Sequence, residues 1–335
     1  MLIVTDPLPP KVSIVCAWYN RSEFLRDTLD SLLNQTFENY EIIIINDGSS
    51  DPNVKQILDT YSDDKLVVVH QNNTGFIGAI KHAISLAKGE FIAVQGAGDI
   101  SLPNRINYQY ELLSKNNNLV AVSCWVQTKR VDIDGIETTV GYLKNSIKVL
   151  NNSDFMKAKN PFTHGEVMFR KSIYDKVGGY REIFKFGQDR DLWLRLTQYG
   201  DCGIVKEVSY IRREFSKDGV STDINKLLLQ FKLTNLAKQC NVERNKLGSD
   251  LVDRYGIYAP FYFDRDISYN TKVLKQIYLC LKNGKKEESF IALREFGNKE
   301  YIFKLIANIL ITTYHLKFTK SLILSIVWLK RIFKK

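Results

Sequence analysis

Short β-branched runs alternate with amphipathic stretches along the first hundred residues. Residues 12–17 (VSIVCA) read as a strand, and the next stretch places Phe24, Leu25, Thr28, Leu29, Leu32 and Leu33 on one helical face, with Ser22 as the expected N-cap. Residues 41–45 (EIIII) form an unbroken apolar run of the kind buried on both faces of a parallel sheet, and they end in the polar turn NDGSSD. A helix over 52–61, a strand over 66–70, a helix over 75–88 and a strand over 91–95 follow. This alternation predicts an open, mostly parallel α/β sheet with flanking helices, whose chemistry lies at the carboxyl ends of strands. Beyond 119 the pattern turns to strands (120–127, then 130–139 around an Asp134–Gly135 turn), with a helix over 189–199 and a helical region over 225–300.

The last 35 residues differ from the rest. In 301–317, Lys304, Asn308, Thr312 and His315 fall on one helical face, opposite Ile302, Leu305, Ile306, Ile309, Leu310 and Leu316. Residues 321–329 are apolar nearly all round and are closed by Lys330 and Arg331. The uncharged runs 305–316 and 321–329 are both shorter than the ~18 residues that span a bilayer. They predict interfacial membrane helices, with packing on the protein's own core or in a dimer as the alternative.

Charge sharpens this picture. The chain carries 47 Lys and Arg against 37 Asp and Glu, a net +10, and residues 301–335 supply seven of the basic residues and no acid. The remaining 300 residues therefore carry only +3. Basic residues gathered on an apolar tail argue against a nucleic-acid partner and for an anionic membrane surface. Hydrophobic residues at 44% exclude global disorder. Five scattered cysteines without a C-x-x-C pair suggest neither a disulfide framework nor a zinc site, and residues 1–10 lack the basic and apolar regions of a secretory signal.

Three strand-end or helix-start clusters can carry chemistry. Asp47, beside Gly48, faces a strand-end crevice where its carboxylate either accepts the imide N–H of a uracil or thymine ring or forms an Asx turn. In 95–99 (QGAGD), the third glycine of a dinucleotide fingerprint is absent, and Asp99 either faces a sugar or metal or caps the next helix. In 187–196 (GQDRDLWLRL), Asp189 and Asp191 begin an amphipathic helix. At i and i+2 they do not share a face, so at most one projects into a site, as a general base or as an N-cap.

In order, AWYN (17–20), EIIIINDGSSD (41–51), 72–106, HGEVMFRKSIYDKVGGYRE (164–182) and GQDRDLWLRL strongly resemble the bacterial family-two glycosyltransferases of GT-A fold, over roughly residues 11–220. The resemblance implies a GT-A domain over 11–222, followed by a helical extension over 223–300 and the basic apolar tail over 301–335. It implies transfer of a sugar from a nucleotide diphosphate donor to a hydroxyl of a glycan or lipid-linked acceptor, with inversion. The location expected is cytoplasmic, peripheral to the inner face of the cell membrane. Ala17, Tyr19, Asn20, Asp47, Gly75, Gly96 and Asp99 match nucleotide-sugar positions, with Asp47 the base-reading aspartate, and Asp189 matches the general base. His164, Glu166, Gln188, Arg212 and Arg213 are implied as acceptor or diphosphate contacts.

Relatives usually carry D-x-D where this chain has Gly96-Ala97-Gly98, and a late histidine where 210–221 has none. Those aspartates hold Mn²⁺ or Mg²⁺ through hard oxygen ligands. Three readings stay open: a metal held by Asp99, with Glu214; a metal-independent enzyme in which Arg212, Arg213 or Lys217 carries the diphosphate charge; or a catalytically inactive nucleotide-sugar-binding relative.

Overall fold

The computed structural model describes residues 9–157, 160–215 and 223–314. Two compact units emerge, and neither is continuous in the chain: one holds the described residues up to 215 together with 237–250, the other 223–236 and 251–314.

In the first unit the apolar runs become strands β1 (Val12–Trp18), β2 (Tyr40–Asp47), β3 (Leu66–Gln71) and β4 (Phe91–Val94). They pair parallel in the order β3-β2-β1-β4, with Val15 between Ile43 and Val94. Every residue of β2 is buried, as a strand covered on both faces requires. Helices α1 (Leu25–Leu33), α2 (Pro52–Asp59) and α3 (Gly75–Leu86) connect them. Ser22 does not cap α1: the chain enters that helix through a 3-10 turn, Ser22–Phe24, preceded by Arg21 in the left-handed region. Asp51 does cap α2, accepting the Asn53 N–H at 3.0 Å.

The sheet continues through β5 (Ile100–Ser101), β6 (Leu119–Val131), β7 (Glu137–Leu143), β8 (Val149–Leu150), β9 (Met168–Arg170) and β10 (Asp201–Phe215). Its main path is β3-β2-β1-β4-β9-β6-β10-β5. From the pairings, β1, β2, β3, β4, β6 and β10 point one way, and β9 and β5 run against them. The fold is therefore an open, mostly parallel α/β sheet. Instead of breaking after 127, β6 runs on to Val131, where Asp132 accepts the N–H groups of Asp134 and Ile136 and closes the hairpin into β7. Helices α4 (Arg105–Ser114), α5 (Asn152–Phe155), α6 (Lys171–Lys176) and α7 (Gln188–Leu196) complete this unit together with the second half of α8 (Ile224–Leu247).

The second unit takes the first half of α8, then α9 (Leu251–Tyr255), a 3-10 turn, α10 (Ile267–Lys282), α11 (Lys286–Leu293) and α12 (Tyr301–Thr313). Tyr269, Val273 and Ile277 of α10 form its core with Ala307, Leu310 and Ile311 of α12. The polar face expected for 301–317 is present, with Lys304, Asn308 and Thr312 exposed. Its apolar face is split, because Leu310 is buried while Ile302 and Leu305 are exposed. Among the described residues no helix is long and apolar enough to cross a membrane. His315, Leu316 and the apolar run 321–329 lie outside the described residues, as does Lys217.

Candidate functional site

The parallel strands order as 3-2-1-4, so the chain reverses its winding between β1 and β4, and the crevice at their carboxyl ends is the expected ligand position. On the β2 side, Asp47 ends its strand with a carboxylate only 3% exposed. Oδ1 accepts from Gln71 Nε2 at 2.7 Å, the Thr74 N–H at 2.8 Å and the Thr74 hydroxyl at 3.0 Å. His82 Nδ1 lies 2.6 Å from Gln71 Oε1, which turns the Gln71 amide nitrogen toward Asp47. Oδ2 accepts nothing from the described residues, so one oxygen is pinned and the other keeps its lone pairs for an N–H. Beyond β1, Tyr19 is 48% exposed beside the partly buried Ala17. Asn20 Oδ1 gathers the Ser50 and Asp51 N–H groups at 2.9 and 3.2 Å, tying the two strand-end turns together. Gly75 sits at φ +77, a conformation open to glycine, at the start of α3.

On the β4 side the turn is closed. Asp99 Oδ1 accepts the Arg213 N–H at 2.8 Å and Oδ2 accepts the Tyr210 hydroxyl at 2.7 Å. Burial raises its pKa to about 6, against these bonds and the Arg212 charge. A Cβ on Gly96 would lie 2.3 Å from Asp99 Oδ2, and one on Gly98, already at φ +92, would lie 2.8 Å from the Phe215 ring. The packing has therefore adapted to both glycines. Mn²⁺ or Mg²⁺ needs several hard oxygen ligands, and among the described residues no three His, Cys, Asp or Glu are grouped to hold an ion. Both Asp99 oxygens are taken by donors of β10, so in this structure its carboxylate ties β10 to the turn after β4.

Two further expectations change for the same reason. Arg213 is almost fully buried, with Nε on Glu137, Nη1 on the Gly98 carbonyl and Nη2 on Asp27, so its charge is already spent within the protein rather than offered to a phosphate. Arg212 reaches Glu214. Glu166 is 0% exposed; its oxygens accept from the Thr163 N–H at 2.7 Å, the Thr163 hydroxyl and Ser123. It braces the turn before β9.

At the start of α7 the two aspartates separate. Asp191 is buried and, although burial alone would raise it, the Arg195 and Arg181 guanidiniums hold its carboxyl below the usual range. Arg181 also pairs with Asp250, so Asp191 belongs to a structural ion network. Asp189 is half-buried, accepts from the neutral amide of Asn160 at 2.7 Å, and has its pKa pushed by burial up to about 6, with the Glu166 charge adding to the rise. Two carboxylates two residues apart are thus tuned in opposite directions, and the one at 189 is ionised yet basic near neutrality. Gln188 is the first residue of this helix and partly buried. His164 lies among the rings of Phe76, Tyr180 and Trp193, and Nε2 meets the Tyr180 hydroxyl at 2.7 Å. Burial lowers its pKa to about 4, so it is neutral at pH 7.

Three contributors escape a reading of the residues in sequence. Arg105, 0% exposed, donates to Gln95, Ser101 and the carbonyls of Val94 and Gly165, joining β4 to the turn before β9. Tyr210 accepts the Gly96 N–H at 2.9 Å and donates to Asp99. Arg21 reaches across the crevice to the Ala97 carbonyl at 3.2 Å. Arg105 stands in the quoted stretch 72–106, but nothing in its spacing marks it; only the fold brings these groups together.

Comparison with known proteins agrees with this arrangement. The model of Glycosyl transferase family 2 matches residues 13–178. The putative glycosyltransferase EpsE of Bacillus subtilis is 30% identical over 213 residues, 62% of this chain and 74% of its own length. An uncharacterized glycosyltransferase of Haemophilus influenzae is 23% identical over 284 residues, 81% and 87% of the two chains. Among solved structures, residues 1–349 of S. aureus TarS in complex with UDP align with a TM-score of 0.56 at 14% identity, over 91% of each chain, and the complex of that fragment with UDP-GlcNAc gives 0.55. At that identity the likeness speaks for the fold, which is the GT-A arrangement. The chain is a glycosyltransferase and belongs to glycosyltransferase family 2.

Proposed function

We propose that the protein moves a sugar from a uridine or thymidine diphosphate donor to a hydroxyl of a glycan or lipid-linked acceptor, with inversion in a single displacement. The observation that carries this reading is the state of Asp189: a half-buried carboxylate that accepts from the Asn160 amide and backbone N–H groups, in which burial outweighs those bonds and the Arg190 charge and raises the pKa to about 6, is ionised at pH 7 and still basic enough to take a proton. The acceptor oxygen forms its bond to the anomeric carbon, its proton passes to Asp189, and the bond from that carbon to the diphosphate breaks, the electron pair leaving on the phosphate oxygen. Asp47 supports a pyrimidine donor, since its unpinned oxygen can accept a ring imide N–H. The UDP and UDP-GlcNAc complexes of TarS support the same choice. A cytoplasmic position against the inner membrane face, with 315–335 meeting anionic lipid, completes the reading.

The experiment is a panel of UDP-, dTDP- and GDP-sugars offered with glycan and lipid-linked acceptors to the wild-type chain and to Asp189→Asn. Transfer by the wild type, its loss in the variant and unchanged donor affinity are expected. Equal loss of donor affinity would remove Asp189 from the role of base. The crowded glycines at 96 and 98 favour a second reading, a nucleotide-sugar-binding protein without turnover. Donor binding with no transfer by the wild type across the panel would select it.

A further inference from the structure

We propose that Asn160 is a positioning residue for the transfer step: its side-chain amide holds the Asp189 carboxylate in its ionised form, fixed to receive the acceptor's proton. This rests on Asp189 being the base, as read above, and concerns what keeps that base ready.

The chain before β9 is shaped to bring the amide to α7. Pro161 steers Asn160 toward extended backbone. Phe162 is buried, its ring 5.1 Å from that of Phe155 and 6.3 Å from that of Trp193. Trp193 stands four residues after Asp189 on the same face of α7, so the contact that seats Phe162 also sets Asn160 beside the base. Thr163 is fixed through Glu166, and His164 through Tyr180. Held from Pro161 onward, Asn160 donates from Nδ2 to Asp189 Oδ2 at 2.7 Å.

The use made of this side chain is one-sided. Its Oδ1 is buried and accepts from nothing among the described residues, so the bond to Asp189 is the single one the amide makes there. An amide placed for the fold generally pairs both ends, because a buried acceptor left without a donor costs free energy. Asn152, in the same unit, does so: Nδ2 donates to the Leu194 carbonyl and to Thr197, and Oδ1 accepts from Asn241 at 2.8 Å. At Asn160 only the end that meets the carboxylate is used.

Around the carboxylate also stand the backbone N–H groups at the start of α7, the Arg190 charge, which favours ionisation, and the Glu166 charge, which opposes it. Tyr180 and His164 bond to each other nearby, and burial drives the phenol well above its usual range and the imidazole down to about 4. Neither therefore titrates where the base does. Asn160 adds a neutral donor, which favours the carboxylate over the acid without altering the charge of the site.

The test is the pH dependence of transfer, as kcat/KM for the acceptor at saturating donor between pH 5.5 and 9, for the full chain, Asn160→Ala and Asn160→Asp. Dividing by the wild type at each pH cancels groups common to all three, Asp99 among them. Removing the donor should move the acid limb about one pH unit upward, a roughly tenfold loss at pH 6 that fades by pH 8.5. Asn160→Asp keeps the shape of the side chain but sets a second carboxylate against Asp189, so its limb should move further in the same direction. Nucleotide affinity, by calorimetry with UDP, dTDP and GDP, should be unchanged in both, which also shows them folded. An acid limb that stays at the wild-type pH, or a loss equal at every pH, in variants that bind nucleotide would overturn the role of Asn160 and leave Asp189 as the base. Transfer retained by Asp189→Asn would overturn the base reading, and the role of Asn160 with it.

Discussion

Replacing Asp189 with Asn should abolish transfer and at the same time stabilise the protein, and the second effect can be worked from the structure. Burial raises the Asp189 carboxyl from its ordinary 3.8 to about 6. At 1.36 kcal/mol per tenfold change in proton affinity, that difference amounts to about 3 kcal/mol. The sign follows from proton binding: between pH 3.8 and 6 the folded state holds the proton more tightly than the unfolded chain. The stability contributed is present in full below 3.8 and is lost as pH rises through 6. Asparagine resembles the protonated carboxyl and does not titrate, so Asp189→Asn should match the wild type near pH 3.5 and exceed it by up to about 3 kcal/mol at pH 7.5. Urea unfolding of both proteins at the two pH values measures this, and the difference between them cancels the titration of Asp99 and His164. Transfer should fall by about 10²–10⁴-fold, the usual contribution of a general base. A variant no more stable than the wild type at pH 7.5 would refute the claim that the fold holds this carboxylate at a cost in stability.

Other expectations follow from neighbouring groups. Restoring acid at Gly96 or Gly98 should not create metal dependence; Gly98→Asp should lower stability by about 1–3 kcal/mol in thermal or urea unfolding, because Phe215 occupies the space. Arg213→Ala should cost about 1–3 kcal/mol in urea by leaving the Gly98 carbonyl without its buried donor, Glu137 keeping Lys129 and Asp27 facing water, and nucleotide affinity of the folded variant should be unchanged. His164 should stay neutral in an NMR titration until pH approaches 4, and its share of stability should fall as pH drops from 6.5 through 4. Deleting 315–335 should reduce sedimentation with anionic vesicles, since that segment carries six Lys and Arg, whereas deleting from 301 should also unfold the helical unit by stripping Leu310 and Ile311 from its core.

The sheet was legible because its strands announce themselves. EIIII can only be satisfied by burial on both faces, and the short helices between strands force parallel neighbours. The turn at 134–135 was equally plain from Asp-Gly, although the length of β6 was not, since the polar run Gln127–Arg130 reads as a break yet stays paired with β7 and β10. At the site, Asp47 and Asp189 could be singled out by their places at a strand end and a helix start. Which of Asp189 and Asp191 faces outward could not, because that is decided by Arg181, ten residues upstream of Asp191 and tied to Asp250 by the fold. That Asp99, Glu166 and Arg213 bond to groups within the protein was not legible for a related reason. A polar residue in a strand-end motif reads the same whether it meets a ligand or buried donors such as Tyr210 and Thr163. Arg21 left no periodic or compositional trace at all; its place over Phe215 joins residues almost two hundred positions apart.

The central claim is that this chain transfers sugar by a single displacement without a divalent cation. The most direct measurement is the anomeric configuration, by NMR, of the product formed from an α-linked nucleotide sugar in the presence of EDTA. A β-linked product formed at the rate seen with Mn²⁺ is the result predicted; retention of configuration, or turnover that appears only when metal is added, would contradict it.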